Sequence, residues 1–288
     1  MSDPMGALLA SLSSLLWGTG DFLGGTLSRR VHPAAVIRSS HGMAAVVLAV
    51  VVTATGEWGR AGAVGWGIAA GIVGSTGLGL FYAALARGTM GVVAPIAATG
   101  VVVPVTVGLL QGDEPGVLAL VGIVVAIVGV VLVAGPERGS VTDPAEAPVE
   151  RGLGPVVLAA MAAVGFGSGQ VLIAEGSEVS VALTIFSMRA ATLVGASALL
   201  ATVLRSAPRP AGADRRTTAA VATTDTGAMA TFSVATTMGA LSITAVLASI
   251  YPAVTALLAW RIHHERLRRI QVVGAVATLV GVAGIAAG

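Results

Sequence analysis

Ten stretches of about 20 mostly apolar residues follow one another along this chain, the length a helix needs to cross a bilayer core about 30 Å thick. They run 5–25, 34–54, 62–85, 90–110, 116–134, 153–174, 182–204, 217–236, 239–261 and 268–287. A β-barrel would instead alternate apolar and polar residues in shorter segments, and the run from Val121 to Val133 is apolar on every face. Backbone polar groups in lipid must be satisfied within the segment, so the expectation is an all-α membrane protein with ten transmembrane helices. The opening Met1-Ser2-Asp3-Pro4 lacks the cationic region of a secretory signal, and the apolar stretch behind it is read as the first spanning helix.

Composition narrows the function classes. Charged residues make up 10% of the chain, where a soluble domain carries roughly 25% to wet its surface. All the positive charge is arginine, and the net charge of +2 comes without basic clusters beside aromatics, which argues against a nucleic-acid partner. Cysteine is absent, which rules out disulfides, thiolate nucleophiles and cysteine-bound metals. The 39 glycines suit close helix packing in lipid, and Gly67, Gly71, Gly74 and Gly77 form such a stripe in the third stretch.

A polar linker, 135–152, contains Pro136, Pro144 and Pro148 and separates five stretches in 1–134 from five in 153–288. The halves match in order. Trp17-Gly18-Thr19-Gly20-Asp21 aligns with Phe166-Gly167-Ser168-Gly169-Gln170, Arg38 with Arg189, Thr89-Met90-Gly91 with Thr237-Met238-Gly239, Pro104 with Pro252, and Glu114 and Glu265 precede Gly122 and Gly274. The preserved order indicates a duplication. Five crossings are an odd number, so a second copy fused directly to the first must lie upside down, the inverted-repeat plan that supports alternating access around a midplane site. Arginine placement also bears on topology: alternate connections hold 13 arginines while the opposite connections hold only Arg60. Taken literally, this puts both termini outside the cytoplasm.

The Trp-Gly of the first helix, the arginines opening the second helix of each half (Arg38, Arg189), the stretches from Pro104 to Gly129 and Pro252 to Gly281, and the glutamates before the last helices together resemble the drug/metabolite transporter superfamily, in particular the ten-helix EamA-type permeases. The resemblance covers essentially the whole chain. It implies secondary transport, with export as the first reading, of a small metabolite or drug across a bacterial inner membrane, driven by proton or solute gradients or facilitated. It also implies a cavity lined by helices 1, 3, 4, 6, 8 and 9, and cytoplasmic termini, opposite to the arginine count, so orientation stays open. No cofactor is implied. The partners are a small-molecule substrate and membrane lipid, with the chain a monomer or a homodimer.

Ionisable side chains within a bilayer are costly and mark function. Asp225, in Thr223-Thr224-Asp225-Thr226-Gly227, aligns with Ser75 of Ser75-Thr76-Gly77 and is read either as a proton-coupling or amine-binding group, or as a carboxylate held by its threonines or facing water. Asp21 follows Trp17 by four residues on one helix face, with Phe166 and Gln170 the equivalent pair. These four are candidate cavity lining, against a reading in which Trp17 is interfacial and Asp21 lies near Arg29 and Arg30. Tyr82, Phe232 and Tyr251 are candidates to stack on substrate or to anchor helix ends. Arg38 and Arg189 are read as structural, and His41, one turn from Arg38, as an interfacial residue or a proton relay. Pro104 and Pro252 are candidate hinges or plain packing kinks. His263-His264-Glu265, among arginines, reads as a headgroup-facing loop, and no metal site is expected.

Rivals come from other classes. A membrane enzyme needs an acidic metal cluster, a nucleophile with its base, or a zinc motif, and the sequence offers none of these. A flippase for a lipid-linked substrate, or a non-transporting membrane subunit, remains the alternative, distinguished by whether the cavity opens sideways to lipid.

Overall fold

In lipid a helix is held less by its own propensity than by what its ends and hydroxyls can bond to, and this chain shows both devices. The computed structural model describes residues 4–110, 116–133, 153–205, 207, 210–238, 248, 251–264 and 269–287. Among them all regular structure is helical. In chain order the α-helices are α1 (Pro4–Ser28), α2 (Pro33–Thr55), α3 (Gly62–Arg87), α4 (Met90–Ala98), α5 (Val102–Leu110), α6 (Val117–Val133), α7 (Leu153–Val179), α8 (Val181–Thr202), α9 (Arg215–Met238), α10 (Tyr251–Ile262) and α11 (Arg269–Ala287). A three-residue 3-10 turn, Thr99–Val101, joins α4 to α5 end to end, so the expected fourth stretch is one rod with a break. The linker 135–152, Glu114, Gly239 and Glu265 lie outside the described residues.

The helix ends follow from local chemistry. His32 Nδ1 accepts from the Ala34 amide at 3.2 Å and Pro33 occupies the first turn of α2, where its missing N–H costs nothing. Gly56 closes α2 with φ +70°, a left-handed cap that glycine adopts without strain. Within the helices hydroxyls bond back to the carbonyl four residues earlier, as Thr76 to Ile72 at 2.7 Å and Thr231 to Gly227 at 2.8 Å, which leaves no unpaired polar group facing lipid there.

Packing follows the small residues. α3 lies against α7 and α8, α1 against α9 and α10, α2 against α8 and α9, α4 against α7 and α10, and α6 against α11. A Cβ on Gly67 would sit 2.5 Å from the Thr184 carbonyl oxygen, and one on Gly71 2.5 Å from that of Met188, so α3 and α8 touch backbone to backbone. Large apolar side chains turn outward instead, Val46, Val47 and Val50 on α2, Val117, Val121, Val124 and Val128 on α6, and Val272, Val273, Val276 and Val280 on α11. In water such bands would be an aggregation surface; against acyl chains they are the proper exterior. Four helical spans, Pro33–Thr55, Gly62–Arg87, Gly154–Val179 and Val181–Thr202, are each long and apolar enough to cross a membrane.

The ends of the rods meet in a definite order. The start of α1 (Gly6) approaches the end of α9 (Met238), while the end of α1 (Gly25) packs on Leu85 and Met90 beside the end of α3. The start of α7 (Pro155) reaches Gly88 at that same end, so α1 and α7 run in opposite directions. At the other end of the bundle, Arg60 Nη1 donates to the Val179 carbonyl at 2.8 Å, and the Ser180 hydroxyl donates to the Glu57 carboxylate while capping α8 by accepting from the Leu183 amide. At the end where α1 finishes, Arg30 pairs with Asp214 at 2.7 Å. Each end is thus closed by a polar contact between a connection of residues 1–110 and one of residues 153–238.

Glu57 gives one of these contacts a pH dependence. The Ser180 hydroxyl, foremost, with Thr55 and Arg60 behind it, holds its carboxyl below the ordinary value of 4.5, against an opposing effect of burial that outweighs either of the latter two. A carboxylate depressed in the folded state adds stability above its unfolded value and loses it as pH falls through the folded one. Spin labels at Trp58→Cys and Val181→Cys should therefore keep a narrow distance distribution from neutral pH down to about 4.5 and broaden below it. In Glu57→Gln the distribution should be broad throughout; a wild-type distribution that stays narrow in strong acid would remove the carboxylate from the contact.

Candidate functional site

Where α1, α2, α3, α7, α8, α9 and α10 converge, the bundle leaves a cavity of about 110 Å³, room for several waters. α1 contributes Trp17 and Asp21 one turn apart, and α7 contributes Phe166 and Gln170 with the same spacing. α3 adds Ser75 and Leu78, α9 adds Asp225 and Met229, and α10 adds Tyr251. The expected lining residues Trp17, Asp21, Ser75, Phe166, Gln170, Asp225 and Tyr251 therefore share one space. Phe232 borders a smaller neighbouring cavity of about 30 Å³, together with Trp17, Phe166, Gln170 and Tyr251. Tyr82 is buried against Phe81 and Gly24 and is not among the residues bordering either cavity. Pro104 is the third residue of α5, just past the 3-10 break, and Pro252 the second of α10.

The polar end of the cavity is an ion cluster. Arg189, 2% exposed in the middle of α8, donates from Nη1 to Asp225 Oδ2 at 2.8 Å and to His41 Nε2 at 2.8 Å. A guanidinium has donors only, so the imidazole accepts and is neutral; its Nδ1 stands 3.4 Å from the same Nη1. His41 Nε2 also stands 3.5 Å from Asp225 Oδ2, so the three side chains form one cluster. Asp225 is held by Arg189, not by its flanking threonines: Thr224 bonds to the Ala220 and Val221 carbonyls, and Thr226 Oγ1 is buried without a partner. Arg189 Nε and Nη2 are likewise buried and unpaired.

Asp21 has no such partner. Its carboxylate is 8% exposed, borders the cavity, and receives no hydrogen bond or ion pair among the described residues. Arg30, which the sequence placed within its reach, is committed to Asp214. Aromatic rings also border the cavity. Trp17 packs on Phe232 with centroids 5.3 Å apart and meets Tyr251 edge-on at 6.4 Å, while Phe166 stands edge-on to Phe81 at 5.3 Å.

Arg189 and His41 border the cavity outside the lining set expected from the sequence. Arg38 is exposed and bonds through Nε to Ser197 Oγ at 3.0 Å, as a structural arginine should. Arg189 sits at no helix end. Its signal was charge balance: Asp225, far from either end of its apolar stretch, calls for a buried cation, and only Arg38 and Arg189 lie within the apolar stretches away from their ends. Helices 2 and 7 of the expected set of ten therefore reach the main cavity through His41, Met188, Arg189 and Thr192, while the fourth borders only the smaller one through Ala97, Ala98, Gly100 and Val101.

A bundle of lipid-facing helices around a cavity that ionisable side chains border is the build of a multi-pass membrane protein. The sequence matches the model of the EamA-like transporter family over residues 4–135 and again over 153–287, and the chain belongs to that family. One solved crystal structure of a protein 16% identical superposes with a TM-score of 0.69, covering 98% of this chain and 96% of its own, a likeness of fold. No curated protein matches the chain significantly.

Proposed function

We propose that this protein is a secondary transporter that carries a small metabolite or drug across the bacterial inner membrane, exposing the central cavity to one face at a time. The observation that carries this reading is the buried ion cluster: no helix bundle needs two carboxylates, a guanidinium and an imidazole around a wet space in its middle, and their desolvation is costly unless the space is used. Duplication supports it. The cavity positions pair between halves in the order of the sequence matches, Trp17 with Phe166, Asp21 with Gln170, Ser75 with Asp225 and His41 with Thr192. Neighbour relations also persist when the halves are exchanged, α1–α9 corresponding to α3–α7 and α1–α10 to α5–α7. With α1 and α7 running oppositely, these relations support two inverted five-helix repeats, 1–134 and 153–288, ten crossings in all.

Such a plan places equivalent closures at opposite faces. The Arg60–Val179 and Glu57–Ser180 contacts seal one end and the Arg30–Asp214 pair the other, and breaking them in turn would open the cavity alternately. Rocking or bending near Pro104 and Pro252 would accompany the exchange.

The absence of cysteine supplies a clean background for a test. Ser75→Cys should react with a membrane-impermeant thiol reagent in both right-side-out and inverted vesicles. Reaction from one face only, in every condition, would refute alternating access; reaction with a lipid-dissolved reagent alone would favour the flippase reading.

A further inference from the structure

Counting charge around the cavity leaves a deficit. Among the described residues that border it, Asp21 and Asp225 are opposed by a single guanidinium, because hydrogen-bond geometry makes His41 an acceptor and therefore neutral. Asp225 takes that guanidinium, so Asp21 is the carboxylate left without a counter-charge. The next residue back, Gly20, touches the Asp225 stretch of α9, which keeps the two carboxylates in one low-dielectric space. A buried carboxylate with no partner is tolerable only if a cation joins it or a proton neutralises it. The rest of the cavity says which cation: Trp17, Phe166 and Tyr251 border it with aromatic rings, and Met229, Met188 and Leu78 offer apolar, adaptable surface.

An anionic ligand is disfavoured by the same geometry. Arg189 Nη1, its paired nitrogen, is already held by Asp225 and His41, and Nε and Nη2 have no surface on the cavity, so a carboxylate or phosphate entering it finds no available donor on the guanidinium. A neutral ligand would leave the deficit in place.

We propose that the cavity is an organic-cation site: it takes a protonated amine with a compact aromatic or apolar body, whose ammonium pairs with Asp21 while its body packs on Trp17, Phe166 and Tyr251. This rests on the transporter reading for the use of the cavity and adds the chemical class of the cargo. Ammonium and proton compete for one carboxylate. The other ionisable groups around it are Asp225 on α9, Tyr251 on α10, Tyr82 on α3, His41 on α2 and Arg189 on α8. Of these Asp225, His41 and Arg189 are already bonded to one another.

Four probes of nearly one shape separate the possibilities: phenethylamine, 2-phenylethanol, 3-phenylpropionate and phenylalanine, titrated calorimetrically into the purified full-length protein in detergent. Phenethylamine should bind at least about ten-fold more tightly than each of the others, a difference of about 1.4 kcal/mol. Its affinity should fall as pH is lowered. Asp21→Asn should lose the preference and its pH dependence together, and Asp21→Glu should restore both; a thermal-unfolding profile of each variant shows that the fold survives. Tighter binding of the acid, the alcohol or the amino acid, no binding of the amine, or an amine affinity unchanged in a folded Asp21→Asn would overturn the cation assignment. None of those results touches alternating access, which stands or falls on the labelling of Ser75→Cys from the two faces.

Discussion

Replacing Asp225 with asparagine is expected to cost the folded protein about 3–5 kcal/mol and to abolish transport. Arg189 is 2% exposed and Asp225 is its one charged partner among the described contacts, so the substitution strands a guanidinium in the middle of the bundle. His41 Nε2 would still accept from Nη1, but a neutral ring returns little of the lost Coulomb energy. Removing both charges together behaves differently. Asp225→Asn combined with Arg189→Met leaves no unpaired ion, so most of the stability should return while transport stays absent. Thermal unfolding in detergent reads the first effect and proteoliposome uptake the second. A single Asp225→Asn variant as stable as wild type would mean that the pair does not carry the charge load assigned to it.

The second large effect is steric and lies on α3. Gly67 and Gly71 face α8 so closely that an added methyl would meet the carbonyl oxygens of Thr184 and Met188, each at 2.5 Å. Backbone cannot swing aside as a side chain does, so the helices must separate. Gly67→Ala with Gly71→Ala is expected to cost about 1–3 kcal/mol per site and to draw Arg189, which follows Met188 directly, away from Asp225. Transport should fall with it. Gly65→Ala on the same helix meets nothing within 4 Å and serves as the control, expected to unfold and transport like wild type. If the paired substitution were as mild as the control, the close α3–α8 contact would not exist in the membrane.

Much of the bundle is legible in the chain because lipid makes local rules strict. Apolar length alone sets 34–54 against the observed Pro33–Thr55, and 62–85 against Gly62–Arg87. The fourth stretch was legible as a rod, and its break falls where Pro104 has no N–H for the Gly100 carbonyl, with the turn Thr99–Val101 packed on α7. Trp17, Asp21 and Asp225 could be picked out because polar and aromatic groups at mid-depth are expensive. The pairing of Arg189 with Asp225 and His41 could not, since it joins three helices far apart in sequence, and by internal alignment Arg189 matches an arginine that the fold turns outward. Equivalent positions in a duplicated chain need not keep equivalent jobs. Arg38 and Arg189, or Asp21 and Gln170, show the halves diverging at the very residues that set the charge of the cavity.

Closing each end in turn addresses the central claim most directly. Arg60→Cys with Val179→Cys marks one end and Arg30→Cys with Asp214→Cys the other, each bridged by a short bifunctional thiol reagent after Ser75→Cys has been introduced and reversibly protected. With the first pair bridged, Ser75→Cys should be labelled only from the face bearing Arg30; with the second, only from the face bearing Arg60; and either bridge should stop transport. Labelling that ignores which end is tied, or transport that continues with an end tied shut, would contradict a carrier built from two opposed halves around one cavity.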